Sequence, residues 1–196
     1  MSVHLTQEII QNIFTETHAL LNGHFVLTSG LHSPNYFQCA KVLQYPNYLT
    51  LFSTALANTF RLKEIEVVLS PAVGGVVVGT EVGRLLGART IFAERENGIM
   101  KLRRGFDLKK GERVLVVEDV ITTGGSVNEV ISIVQSSGSQ LCGVGYIVDR
   151  SNGKVQFDAK SFSLLTMEVI TYKSDSCPLC KENIPITKPG SRAIQV

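Results

Sequence analysis

The stretch Val114 to Ser126, VLVVEDVITTGGS, joins residue types that suit two parts of one ligand. Glu118 and Asp119 close an apolar run, and carboxylates there can accept hydrogen bonds from a sugar diol or face a metal ion. Thr122, Thr123, Gly124, Gly125 and Ser126 follow, a hydroxyl- and glycine-rich turn. Its backbone N–H groups can gather round a phosphate at the start of a helix. No lysine follows the glycines, so this is not a nucleotide P-loop, and no G-x-G-x-x-G follows a strand, so a dinucleotide fold is unsupported. A ligand with both a ribose and a phosphate satisfies both halves.

Such a site needs a frame that delivers a strand end to a helix start. Leu5, Ile9, Ile10, Ile13 and Phe14 recur at helical spacing. Gly23 to Gln38 reads as strand and turn, and Tyr48 to Leu62 as a second helix. Then short β-branched runs alternate with helical ones: Val67 to Ser70, a helix from about Val76 to Leu86, Thr90 to Glu94, the run ending at Asp119, a helix from about Ser126 to Ser136, and Cys142 to Asp149. Near-continuous apolar strands alternating with helices predict an α/β fold whose mainly parallel sheet is covered on both faces. Ligands in such sheets bind beyond the carboxyl ends of the strands. We expect one domain over residues 1–196, with a core at 60–150 and a small flanking subdomain from 1–40 and part of the tail.

A net charge of +2 over 196 residues gives no general nucleic-acid or membrane role. No apolar run reaches the roughly 18 residues of a membrane helix, and the amphipathic N-terminus, with Glu8 inside it, is unlike a signal peptide. Four spread cysteines make no disulfide framework, so a reduced, cytoplasmic protein is expected. Cys177 and Cys180 form a C-x-x-C pair. Structural zinc needs four ligands; Cys39 and Cys142, or a second pair across a dimer, could complete a set. Reduced cysteines shaping a turn is the favoured reading.

The stretch VLVVEDVITTGGS resembles the phosphoribosyl diphosphate (PRPP) signature of the type I phosphoribosyltransferases. The resemblance implies that Glu118 and Asp119 hold the ribose, that Thr122 to Ser126 hold the 5′-phosphate, and that Val120 and Ile121 belong to the same PRPP-binding set. Phe25 to Phe37, FVLTSGLHSPNYF, is similar to the segment that opens orotate phosphoribosyltransferases and forms a hood over the base. It implies Tyr36 and Phe37 against the orotate ring, Arg150 on the orotate carboxylate and Thr122 as a further ring contact. Ala72, Val73 and Gly74, in PAVGG, match a pyrophosphate loop. Lysines found in better-known bacterial relatives around Gly74 and Thr28 are absent; the chain resembles instead a thermophile-type branch with a C-P-L-C…K-P-G-S-R tail.

Residues 95–112 carry Arg95, Lys101, Arg103, Arg104, Lys109 and Lys110. By resemblance this is a mobile catalytic loop acting on the partner's site of a homodimer, with Lys101 its main cation and Arg95 and Arg103 beside it. The family also implies Mg²⁺, held mainly through PRPP rather than by protein ligands. Two other readings stay open: a purine phosphoribosyltransferase, and a regulator that senses PRPP without turnover.

Overall fold

The chain, described over residues 5–27, 30–167 and 170–187 in a computed structural model, opens with α1 (Gln7–Glu16), capped by the Thr6 hydroxyl accepting from the Ile9 N–H at 3.3 Å. A hairpin of β1 (Leu20–Val26) and β2 (His32–Phe37) follows, then α2 (Ala40–Leu43) and α3 (Pro46–Phe60). The alternating core comes next: β3 (Val67–Pro71), α4 (Gly74–Leu86), β4 (Arg89–Glu96), β5 (Ile99–Leu102), β6 (Arg113–Ile121), α5 (Gly125–Ser136), β7 (Gln140–Asp149) and β8 (Ser161–Thr166). The tail adds α6 (Pro178–Lys181) and the two-residue β9 (Ile186–Thr187).

The six-stranded sheet has the order β5-β4-β3-β6-β7-β8, parallel throughout except for β5 at one edge. Strand β6 shows why its sequence is almost continuously apolar. Leu115 and Val117 pack into the cluster formed with α3 and α4 on one face, while Val114 and Val116 join Val127, Val130 and Val134 of α5 on the other. A strand buried on both faces has no polar side to present. The polar residues at its end therefore mark the sheet's carboxyl edge. No described helix is long and apolar enough to cross a membrane.

One expectation is corrected. The charged segment after Thr90–Glu94 is not simply a loop: β4 extends to Glu96 and returns as β5 through Asn97-Gly98, with φ of 53° and 82°. Asn-Gly with both residues at positive φ is the two-residue turn that matches strand twist. That pair was a turn signal in the sequence, outweighed by the surrounding charges.

A second, three-stranded sheet has the order β2-β1-β9, so the tail returns to lie parallel to β1 at His24↔Ile186 and Phe25↔Thr187. Where the two meet, His24 and His32 face Cys177 and Cys180. Neither Cys39 nor Cys142 belongs to this group: Cys39 is buried in the main core, and Cys142 lies on β7. Thr28, with its missing lysine, and the K-P-G-S-R segment at 188–192 lie outside the described residues.

Candidate active site

Glu118 and Asp119 stand at the carboxyl end of β6 and lie against the first residues of α4. Asp119 donates its N–H to Glu118 Oε1 at 3.0 Å, and Val120 donates to Asp119 Oδ1 at 2.9 Å. Gly74 and Gly75 are glycines because the acids occupy the space a side chain would need. A Cβ at Gly75 would lie 2.7 Å from Glu118 Oε1, and one at Gly74 would collide with the Asp119 carboxylate. The PAVGG segment and the acids are thus interlocked. Burial, and then the neighbouring Asp119, push the Glu118 carboxyl well above its usual range, and burial raises Asp119 too. Two adjacent carboxylates, one buried and one half-buried, with no salt-bridge partner among the described residues are suited to accepting hydroxyl hydrogen bonds.

Beyond Ile121 the chain turns into α5 through Gly124, at φ 73°. The N–H groups of Thr123 through Val127 find no acceptor among the described residues; the first helical bond here is Asn128 N–H to Gly124 O at 2.9 Å. Unpaired donors at a helix start, aided by its dipole, attract an anion. They line a cavity of about 210 Å³ together with Glu118, Val120, Ile121, Thr122 and the side chain of Arg95. Ile121 itself is buried in the core, so it offers backbone rather than side chain. Gly124 is doubly constrained, since a Cβ there would sit 2.7 Å from Val155 and 3.2 Å from Phe157.

Arg150 leaves the end of β7, the strand beside β6, and its N–H donates to Ile121 O at 2.8 Å. Its guanidinium carbon lies 5.8 Å from the Phe37 ring centroid. Its buried Nε has no hydrogen-bond partner, and it makes no ion pair among the described residues. Burial draws its pKa down. A partly desolvated cation with an unmet donor is prepared for a planar anion. Phe37 and Tyr36, expected to act as a pair, are divided by strand alternation. Phe37 packs in the core against Phe14 at 5.9 Å, and Tyr36 pairs with Phe25 at 5.6 Å.

Residues 40–176 match the family model described as the phosphoribosyl transferase domain. A relative from Chlorobium phaeobacteroides, named orotate phosphoribosyltransferase, is 61% identical across 94% of this chain and 96% of its own. One of the same name from Caldanaerobacter subterraneus is 53% identical across 97% of this chain and all of its own (100%). The chain belongs to the orotate phosphoribosyltransferase family. Solved structures agree on the fold: an orotate phosphoribosyltransferase from Aeropyrum pernix superposes with TM-score 0.69 at 24% identity, covering 81% of this chain and 93% of that one. An adenine phosphoribosyltransferase from Rhodothermus marinus gives 0.64 at 18%, covering 81% and 99%. Fold alone therefore does not choose the base.

In this phosphoribosyltransferase the basic residues of 95–112 divide. Arg95 lines the cavity at the start of α5, held by Glu129 at 2.8 Å and by the Gly98 carbonyl. Lys101 and Arg103 do not line it. Lys101 pairs with Glu96 at 3.2 Å, and Arg103 with Glu94 and Glu96 at 3.3 and 3.1 Å. Such exposed pairs are worth about 1 kcal/mol or less, so both cations are cheaply released to a stronger anion. Ala72 and Val73, joined by a cis peptide, precede the interlocked Gly74. Sequence reasoning missed Asp149. Its Oδ1 accepts from Ser151 N–H and Oγ–H at 2.7 and 2.6 Å, and its Oδ2 from Gly153 N–H at 3.0 Å. This fixes the turn after Arg150 and leads to Val155 and Phe157, which back Gly124. The signal was an Asp two residues before Ser-Asn-Gly.

Proposed function

We propose that this protein transfers the 5-phosphoribosyl group of PRPP to orotate, giving orotidine 5′-phosphate and diphosphate in pyrimidine synthesis in the cytoplasm. The observation that carries the choice of base is Arg150, a half-buried guanidinium whose buried Nε has an unmet donor, tied through its backbone to the end of β6. A neutral purine would leave that charge unanswered. In this reading Glu118 and Asp119 hold the ribose hydroxyls, the N–H groups of Thr123 to Val127 hold the 5′-phosphate, and the Ala72–Gly74 segment receives the diphosphate. Thr122 is exposed beside the cavity and is available to the pyrimidine ring.

A ring nitrogen of orotate attacks the anomeric carbon as the bond to diphosphate breaks. The chain orients the two partners, excludes water from the oxocarbenium-like centre and neutralises departing charge. Mg²⁺ would supply neutralisation of the charge on the departing diphosphate, and Asp119 and Glu118, which have no salt-bridge partner among the described residues, are the carboxylates that would face it. Lys101 and Arg103 fit a lid role acting in trans within a homodimer, since they stand on an edge hairpin away from their own chain's cavity.

Incubation with orotate, PRPP and Mg²⁺ should deplete the orotate absorbance. Turnover of adenine or hypoxanthine with orotate untouched would overturn the assignment. For the lid, mixed dimers of a Lys101→Ala chain with an Asp119→Asn chain should regain about a quarter to a half of wild-type activity, on the order expected when one intact site assembles per dimer. Mixed dimers no more active than either parent would rule out action in trans.

A further inference from the structure

The hood and the tail meet at four side chains that the transfer reaction does not use. His24 on β1, His32 on β2, and Cys177 and Cys180 around the start of α6 each offer one ligand atom, and these atoms all lie within 4.8 Å of one another. Cys177, His24 and His32 are buried, at 1%, 1% and 6% exposure. Cys177 Sγ and Cys180 Sγ each lie 3.7 Å from His24 Nε2, and Cys180 Sγ lies 3.3 Å from His32 Nδ1. A tetrahedral ion with Zn–S near 2.3 Å and Zn–N near 2.0–2.1 Å sets its ligand atoms about 3.3–3.8 Å apart. The two nitrogens are closer, at 2.7 Å, as befits a hydrogen bond between imidazoles. An ion replacing that proton would part them by roughly half an ångström.

We infer that His24, His32, Cys177 and Cys180 form a structural Cys₂His₂ site for a zinc-type divalent ion, which clamps the tail onto the hood. The donor set is that of closed structural zinc, with two thiolates and two imidazoles and no place for a substrate. The surroundings supply what such a site requires. His24 Nδ1 lies 2.8 Å from the Ile184 carbonyl, so an N–H placed there leaves the Nε2 lone pair facing the cluster. Backbone bonds fix both halves. His32 and Tyr172 exchange N–H···O bonds of 2.9 and 2.8 Å, and Ile184 N–H reaches Leu179 O at 3.0 Å. A sulfur pair alone could also close as a disulfide, but it would not explain two buried imidazoles aimed at it.

The consequence is structural first. The ion links positions far apart in the chain, so it removes loop freedom that the two-residue β9 cannot remove alone. It is also local to the base side, because His32 begins the strand that ends at Phe37 beneath Arg150. The metal assignment is independent of which base the enzyme uses.

The full chain, purified in reductant without chelator, is expected to hold one zinc per chain by elemental mass spectrometry. Cys177→Ser with Cys180→Ser should hold less than about a tenth of that, while Cys39→Ser and Cys142→Ser should keep it. Should the double variant not fold, cobalt loading of the unmodified chain gives a separate readout: intense visible bands of tetrahedral cobalt and thiolate charge transfer. Chelator removal of the metal should lower the thermal midpoint by about 5 °C or more. A reduced wild-type chain that holds no zinc and takes up no cobalt overturns the site. So does a double variant that keeps its zinc.

Discussion

Arg150→Ala is expected to raise the KM for orotate about a hundredfold while changing that for PRPP less than about threefold. Two charge-assisted bonds to a carboxylate, with part of their strength lost to desolvation, are worth about 3 kcal/mol. The guanidinium's position over Phe37 is present without orotate and serves to orient the fork rather than to add to that difference. Arg150→Lys keeps the charge but not the fork, and should fall between the two. The thermal midpoint should hold or rise, because the wild-type residue is a partly desolvated cation with a buried, unpaired Nε. Steady-state kinetics with each substrate varied in turn decides the matter. An equal rise in both KM values would remove Arg150 from base recognition.

Asp119→Asn should lower kcat/KM for PRPP by about a hundredfold or more, since charge-assisted bonds to two hydroxyls become neutral ones. It should do so without unfolding the protein, which calorimetry over pH follows. The sign is set by burial, which raises the carboxyl above its unfolded value. Such a group costs stability wherever the pH exceeds the unfolded pKa, and the cost is complete above the folded one. The variant and the wild type should therefore melt together near about pH 3, and the variant should gain up to roughly a few degrees as pH rises towards 8. A variant that melts well below wild type at neutral pH, or that uses PRPP normally, would contradict this account.

What the sequence disclosed followed the range of the interactions involved. Strand β6 and the turn after it were readable because their determinants are contiguous: apolar run, acids, hydroxyls, glycines. The helices were readable for the same reason, within about two residues at most ends. Tyr36 and Phe37 differ in their packing, as the two-residue period of a strand implies, yet both lie near Arg150. Lys101, Arg103 and Arg104 gain Glu94 and Glu96 as partners only once the Asn97-Gly98 turn folds β5 back. His24 and His32 gave no local hint at all. Their meaning depends on a tail more than a hundred residues away returning to β1, and spacing along the chain carries no trace of that.

The adjacency of β3 and β6 has a further consequence. The PAVGG segment leaves one strand and the Glu118–Ser126 segment leaves its immediate neighbour, so under the proposed function the two grips on the donor would be set apart by a single interstrand step of about 4.8 Å. That length is a property of the peptide ladder, and no side-chain substitution alters it. The sheet is therefore a ruler for the sugar, calibrated by backbone hydrogen bonds. Drift in sequence can rewrite the acceptor end, where one guanidinium and a small hood decide, without disturbing the measure of the donor.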